Sequence, residues 1–417
     1  MLKYTPLAER YAVNGAFATL VVPLCYILIS LCAAFRPSAS RTVLTGSAII
    51  AITFLLYNIR IDAPYAEIYA GLTCWGIYLF HWCDRILLAS QDHEKWHDVP
   101  TTDGPAKRPP RQLEFGPPEG FLKRLKWSWS HTIATRGFGK SWQVKKVPPA
   151  PPPGTGRWTF VVAHLLRFFI FMTIADLGKI WAANTALTGY HYWEDAESAK
   201  ASGDPVFFSL SLMERVQCCW LLICVAYWTL TFISSLLYAV TVALGIWKSE
   251  DCPPPFGDLK HLYTVRNAWS IVWHQCLRRI ATVPGTLVAK RWLKLKPGTF
   301  ASKYSQLFIG FAVTGAAHSI GSLLIWGRDT GEIPFWMAQA TAIMIEDHVV
   351  SFGKQLGLKD SEFWRFAGFV WVGVWFSWSP QTLFGNSVED GFLISRRPPD
   401  MFGFDAWLKM RRGVVQT

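Results

Sequence analysis

The chain has 417 residues, 51% of them hydrophobic and 15% aromatic, a mean hydropathy of +0.21 and a formal net charge of +12. The apolar residues come in blocks of roughly twenty, the length that crosses a bilayer core. This excludes a soluble globular protein and predicts an all-α, polytopic integral membrane bundle. In such a protein the positive balance marks basic cytosolic loops and favours an anionic cosubstrate, not nucleic-acid binding.

The first apolar run covers residues 11–35. Cys32-Ala33-Ala34 resembles a signal-peptide cleavage site, but the run is long for a signal core and more spans follow, so a retained helix is expected. Runs at 43–57 and 68–89 follow. His81, Asp84 and Arg85 near the end of the latter mark an expected exit to the interface. Residues 91–157 form the one long polar segment, with a Pro-rich centre and a Pro-rich exit, and read as basic cytosolic loop. Inside it, Phe121, Leu122, Leu125 and Trp129 recur at helical spacing among Lys123, Arg124 and Lys126. That pattern predicts an amphipathic helix on the membrane surface. RGFGKSW at 136–142 holds two glycines but lacks the spacing of a phosphate-binding loop.

The fourth run, 158–181, carries His164, Arg167, Asp176 and Lys179, spaced as two i, i+3 pairs. The second pair reads as structural, because pairing is how intramembrane charges are tolerated. After a polar loop at 188–214, the fifth run, 216–247, is long enough to be one tilted helix or a helix with a kinked extension. Runs at 303–326, 333–352 and 363–384 bring the expected total to about eight spans. The basic segments 91–157 and 248–302 then share one side, expected to be cytosolic. The basic tail falls on the other side, against that rule. The expected organisation is N-terminal transmembrane helices at 1–90, the loop at 91–157, and a catalytic membrane domain at 158–417. The nine cysteines show no CxxC or Cys/His metal spacing and read as small buried apolar residues.

The chemistry concentrates in residues 256–279, FGDLKHLYTVRNAWSIVWHQCLRR, together with His318. From about Thr264 a helix is predicted, with Arg266, Ser270, His274 and Arg278 four apart in a polar stripe and Trp269 and Trp273 beside it. Such a helix suits the interface or a shallow re-entrant position, either as a surface anchor or as part of a site. His318 sits in an apolar run among small residues that let a helix or a substrate chain approach. It reads either as a packed histidine or as a functional one, and burial of an ionisable group at that depth favours function. Glu346, Asp347 and His348 are consecutive, so they are expected not to face one partner together.

These residues resemble the wax synthase-like branch of the membrane-bound O-acyltransferases, particularly fungal terpenoid and meroterpenoid acetyltransferases. RGFGKSW is similar to the family's RGIGW-type segment. Val265 to Trp269 and Trp273 to Arg279 are similar to its R-x-F-W…W-H-x-x-L-R-R motif. His318 stands where the family has its membrane histidine, and Glu346-Asp347 before a Trp-rich span fits its C-terminal end. Asn267-Ala268 departs from the acidic residue and Phe that often precede the Trp.

The resemblance implies acyl transfer from acyl-CoA, a cosubstrate rather than a bound cofactor, to a lipophilic alcohol within the endoplasmic reticulum bilayer. His318 and His274 are the expected catalytic pair, with His318 as base. Arg266, Trp269, Trp273, Arg278, Arg279 and Glu346 are expected to bind substrate or coenzyme A. No metal is expected. A long-chain wax or sterol ester synthase is an alternative within this class. A transporter, or a scaffold that tolerates loss of both histidines, are alternatives outside it. No internal repeat supports transport.

Overall fold

The computed structural model describes residues 9–14, 16–62, 65–88, 95–99, 116–184 and 207–389. The Pro-rich centre of the long loop, most of the expected polar loop at 188–214, the side chain of Lys179 and the basic tail lie outside this set. In chain order the elements are β1 (Tyr11–Asn14), α1 (Ala16–Ala34), α2 (Ala39–Asn58), β2 (Ile59–Asp62), α3 (Tyr65–Trp82), α4 (Phe121–Ile133), α5 (Arg157–Asn184), α6 (Leu212–Ala243), α7 (Arg278–Thr286), α8 (Phe300–Trp326), α9 (Glu332–Gln355), α10 (Glu362–Trp378) and α11 (Gln381–Glu389).

Among the described residues, four helices are long and apolar enough to cross a membrane: α2, the stretch Arg157–Gly178 of α5, α6 and α8. The other four expected runs correspond to α1, α3, α9 and α10. Helix α9 carries Glu332, Glu346, Asp347 and Lys354, and α10 has only 17 residues. The run expected from residue 11 begins instead as a strand: β1 pairs in parallel with β2, Tyr11 opposite Ile59 and Asn14 opposite Asp62. The buried Ile59 and Ile61 explain that preference.

Two compact units are present. One comprises Met1–Ala63, Glu67–Pro149 and Phe256–Gly368, the other Pro64–Ala66, Ala150–Pro255 and Phe369–Thr417. In the second, α5 packs along α6. Helix α6 starts with a capping box, Ser211 and Glu214 each closing on the other's backbone N–H. Its 32 residues form one unbroken helix of about 48 Å. His164 is packed against Phe160 and Tyr238, ring centroids 4.2 and 5.6 Å away, and Arg167 lies over Phe171.

In the first unit α8 is the central helix, and small residues let its neighbours approach. A Cβ at Gly76 of α3 would overlap the Ala317 carbonyl, and one at Gly315 would press on Trp336 of α9. Helix α3 is tied to α2 by indole hydrogen bonds, Trp75 Nε1 to Thr53 Oγ1 (3.1 Å) and Trp82 Nε1 to Thr45 Oγ1 (3.0 Å). Helix α4 forms as expected, and its polar side docks on the end of α1. Arg124 Nε donates to the Ala34 carbonyl (2.8 Å) and Ser128 Oγ to the Ser30 carbonyl (2.7 Å). Its apolar side, with Leu122 77% exposed, stays uncovered.

Candidate active site

The segment before α7 does not form the predicted continuous helix. Thr264 Oγ1 caps a single turn, Val265–Asn267, by accepting from Asn267 N–H (2.9 Å). A π-helical turn, Ala268–Val272, follows and ends at Trp273, whose φ of −70° and ψ of 153° are extended. The interruption has a local cause. The Ser270 carbonyl, which a helix would offer to His274 N–H, accepts instead from Gln275 Nε2 and Arg278 Nη1, both at 2.8 Å. The Val272 carbonyl accepts from Gly257 N–H at 2.9 Å. The expected stripe Arg266, Ser270, His274, Arg278 is therefore not one helix face.

Helix α9 pins the start of this segment. The Glu346 carboxylate accepts from the backbone N–H groups of Val265 (2.6 Å) and Arg266 (3.2 Å), where free N–H groups point outward and favour negative charge. Asp347 binds the Arg266 side chain at two points, Nε 2.8 Å and Nη2 2.5 Å, and also receives Lys303 (2.6 Å) and the Tyr304 hydroxyl (3.0 Å). Glu346 and Asp347 thus meet the same segment, while the third of the consecutive residues, His348, packs against Tyr304 with ring centroids 5.6 Å apart. Glu346 reaches the segment's backbone and Asp347 the Arg266 side chain. Beside this anchor lies an open cleft of about 340 Å³ lined by Thr264, Arg266, Asn267, Lys303, Asp347 and Lys354 among others.

Past the anchor, aromatic rings connect the two histidines. His274 packs on Trp273 (5.6 Å) and Phe256 (6.0 Å), and Trp273 lies 6.1 Å from Trp269. Trp269 lies 4.7 Å from Trp336, which in turn lies 5.1 Å from His318. Trp269 is fixed by its Nε1–H donating to Gln339 Oε1 (3.2 Å), and Gln339 is fully buried.

His318 Nδ1 lies 2.8 Å from the Thr314 carbonyl oxygen. A carbonyl only accepts, so Nδ1 carries the proton and Nε2 keeps its lone pair. His274 Nδ1 is buried and has no hydrogen-bond partner among the described residues. Burial, and secondarily the nearby Arg136 charge, push the His274 imidazole down to about 4, so it is neutral at pH 7.

Arg278 and Arg279 have partners within the protein. Arg278 Nη1 bridges the Ser270 and Lys145 carbonyls. Arg279 pairs with Asp84 at two points, Nε 2.7 Å and Nη2 3.1 Å, and lies 4.9 Å from the rings of both Trp96 and Trp142. The 136–142 segment supplies this last contact. Gly137 and Gly139 take positive φ, and residues 97–99 clamp the loop through Ser141 N–H to the His97 carbonyl and Val99 N–H to the Gly139 carbonyl. Asp84 and Arg85, 2% exposed each, lie inside this contact. Among the described residues no group of three or more His, Cys, Asp or Glu side chains could hold a metal ion.

Sequence reasoning missed Trp336, Gln339, Asp84, Arg85 and Trp142 as members of this region. Trp336, Gln339, Ile343 and Glu346 all lie on the buried stripe of α9, so their spacing held a readable signal. Nothing in the chain order announced that Asp84 meets Arg279.

A sequence profile described as "Membrane bound O-acyl transferase family" matches residues 252–338, which contain both histidines. "Acetyltransferase sirH" of Leptosphaeria maculans is 33% identical over 384 residues, covering 91% of this chain and 93% of that protein. "Acetyltransferase ple2" of Rhodocybe pseudopiperita is 28% identical over 89% of this chain and 92% of its own length. "O-Mevalon transferase yanI" of Aspergillus niger is 25% identical, covering 85% and 82% respectively. No solved structure matches the chain. Similarity along nearly the whole length of a fungal acetyltransferase, with the family's profile falling on the two-histidine region, shows that the chain belongs to the membrane bound O-acyl transferase family and is a membrane acyltransferase.

Proposed function

We propose that this enzyme transfers an acetyl group from acetyl-CoA to a hydroxyl of a lipophilic acceptor, of terpenoid or meroterpenoid type, in secondary metabolism. It would act as a multi-pass protein of about eight spans in the endoplasmic reticulum membrane. The observation that carries this reading is the pair of imidazoles bordering one aromatic cluster, His318 with its Nε2 lone pair free. The acceptor oxygen attacks the thioester carbonyl carbon while His318 Nε2 takes the hydroxyl proton. Negative charge collects on the carbonyl oxygen, and a His274 N–H donates to it. Collapse breaks the C–S bond, forms the ester, and returns the proton from His318 to the departing coenzyme A sulfur.

Trp269 and Trp273 form the wall along which the acyl group lies. Glu346 sets the position of that wall through the backbone it caps. The cleft beside Arg266, Lys303 and Lys354 suits the entry of an anionic thioester from the water side. Arg278 and Arg279 act through the segments they hold. These side chains belong to 158–417, the segment read as the catalytic domain, and residues 121–149 brace them.

The test is an assay of microsomes holding the full chain, comparing acetyl-CoA with palmitoyl-CoA by mass analysis of products. Acetyl esters that vanish in His318→Ala are expected. Long-chain esters from the wild type would instead establish a wax or sterol ester synthase. The similarity to a protein named for mevalon transfer supports a second reading, a short acyl group larger than acetyl, which the same product masses distinguish.

A further inference from the structure

The acyl-transfer chemistry leaves one buried cation without a task. Arg85 follows α3 in a π-helical turn, Cys83–Leu88, and its side chain is 2% exposed. Its Nε, Nη1 and Nη2 are all buried and none has a hydrogen-bond partner among the described residues. The nearest carboxylate oxygen, Asp84 Oδ2, is 3.6 Å from Arg85 Nε and is already held at 2.7 Å by Arg279. Two guanidiniums thus share one carboxylate. Arg85 packs on the rings of Trp142 (4.2 Å) and Trp96 (4.9 Å), which occupy faces of the guanidinium and accept no hydrogen bond in its plane. One turn earlier His81 is 4% exposed, and its Nε2 is likewise buried and unpartnered.

A guanidinium buried this deeply, whose N–H donors make no hydrogen bond among the described residues and whose carboxylate is shared, is costly unless something completes it. Its donors form a planar fork whose best complement is a two-oxygen anion. The surroundings fix the charge of that anion. Arg279 carries its pair into the same cluster, and next to it Arg278 holds the Lys145 carbonyl while Lys146 Nζ reaches Ser270 Oγ at 3.4 Å. Burial, then the charges of Arg278 and Arg266, pull Lys146 below its ordinary value, as expected of crowded cations. With two guanidiniums and one carboxylate meeting here among the described residues, the positive charge in excess favours an anion such as a phosphate group.

We propose that Arg85, assisted by His81, is an internal phosphate-binding site that receives a phosphate group of the acyl-CoA cosubstrate. This rests on the acyl-CoA reading above. It adds a specificity residue outside the two-histidine region, on a segment that Trp96 and Trp142 cover. No covalent step is involved: Arg85 grips the nucleotide end of the thioester.

The experiment uses the purified full chain in detergent and reads thermal stability against added coenzyme A, adenosine 3′,5′-bisphosphate, pantetheine or inorganic phosphate. Coenzyme A and the bisphosphate are expected to protect the wild type and pantetheine to have no effect. Protection by inorganic phosphate at the same concentrations would assign the site to free phosphate and overturn the coenzyme A assignment. In Arg85→Met the half-maximal bisphosphate concentration should rise about tenfold or more. Arg85→Lys keeps the charge beside Asp84 but loses the fork. It should show a smaller rise, and it serves as the readout if Arg85→Met fails to fold. Unchanged protection in either folded variant overturns the proposal.

Turnover supplies the second readout. In Arg85→Lys, KM for acetyl-CoA should rise while kcat holds, and kinetics with acetyl-S-pantetheine should match the wild type. Equal losses with both thioesters would mean a purely structural arginine. A wild type that binds the bisphosphate through Arg85 but never turns over acetyl-CoA would sink the acetyl transfer reading and leave the phosphate site standing.

Discussion

His318 donates from Nδ1 to the carbonyl oxygen of Thr314, 2.8 Å away and one turn earlier on α8. The bond fixes which ring nitrogen holds the proton and turns the ring as well. A helix carbonyl has a second lone pair, so Thr314 can hold the imidazole without giving up its helical hydrogen bond. The histidine is therefore oriented by its own helix, and Trp336 supports it from the side.

If Nε2 is the base, His318→Ala should lower kcat by about 10²- to 10⁴-fold with little change in KM for the thioester. Steady-state assays of equally expressed protein check this. A variant at normal abundance with wild-type turnover removes His318 from the chemistry.

Glu346 should act through position. Glu346→Gln keeps one acceptor oxygen but loses the charge that suits the two N–H groups of Val265 and Arg266. A loss of about 1 kcal/mol of stability is expected, against about 3 kcal/mol for Glu346→Ala, which leaves both donors open. Both should lower kcat/KM, because Trp269 begins two residues beyond the capped turn. Denaturation and kinetics measured on the same preparations should move together. Full activity in a destabilised Glu346→Ala would separate cap from site.

The Asp84–Arg279 pair is nearly inaccessible to water, with side chains 2% and 12% exposed. Removing one partner strands the other charge, at a cost of about 3–5 kcal/mol. Asp84→Asn should be worse than Arg279→Met, because it leaves Arg85 and Arg279 together with no carboxylate between them. A double variant, Asp84→Asn with Arg279→Met, should recover part of the loss. Additive losses in the cycle would argue against coupling.

His274 gives a pH dependence of defined sign. Its imidazole is pushed down to about 4 in the folded protein, against an ordinary value of about 6.5. Between those values the unfolded chain binds the extra proton, so this residue's contribution favours folding more as pH rises and is lost as pH falls through that window. The wild type should thus lose more thermal stability than His274→Gln between pH 7 and pH 5. Parallel slopes for the two proteins would mean that His274 titrates normally. The same neutrality predicts no activity change from His274 itself between pH 6 and 8.

Several features were legible because they are properties of short segments. The amphipathic pattern of 121–129 became α4, and the long run at 216–247 became the single helix α6. The reading of 265–279 failed in a specific way. Spacing by four implies one helix only if every carbonyl is answered by the N–H four residues on, and the side chains of Gln275 and Arg278 answer Ser270 instead. Periodicity counts side-chain positions and is blind to competition for a backbone acceptor. Arg278 and Arg279 looked like free cations for the same kind of reason, because their partners come from Lys145 and Asp84, distant in the chain.

Residue types and their order settled what kind of molecule this is: apolar blocks that need lipid, a basic and tryptophan-rich segment, and a histidine on an apolar helix. Those are local, because hydropathy and helical propensity act over a few turns. Tertiary structure decided which groups remain available to a ligand. Folding brought Trp336 between Trp269 and His318, attached Glu346 and Asp347 to the segment they anchor, and left Arg85 buried without a hydrogen-bond partner among the described residues. A donor's partner is fixed by distance in space, and sequence separations of 80 to 195 residues carry no record of it.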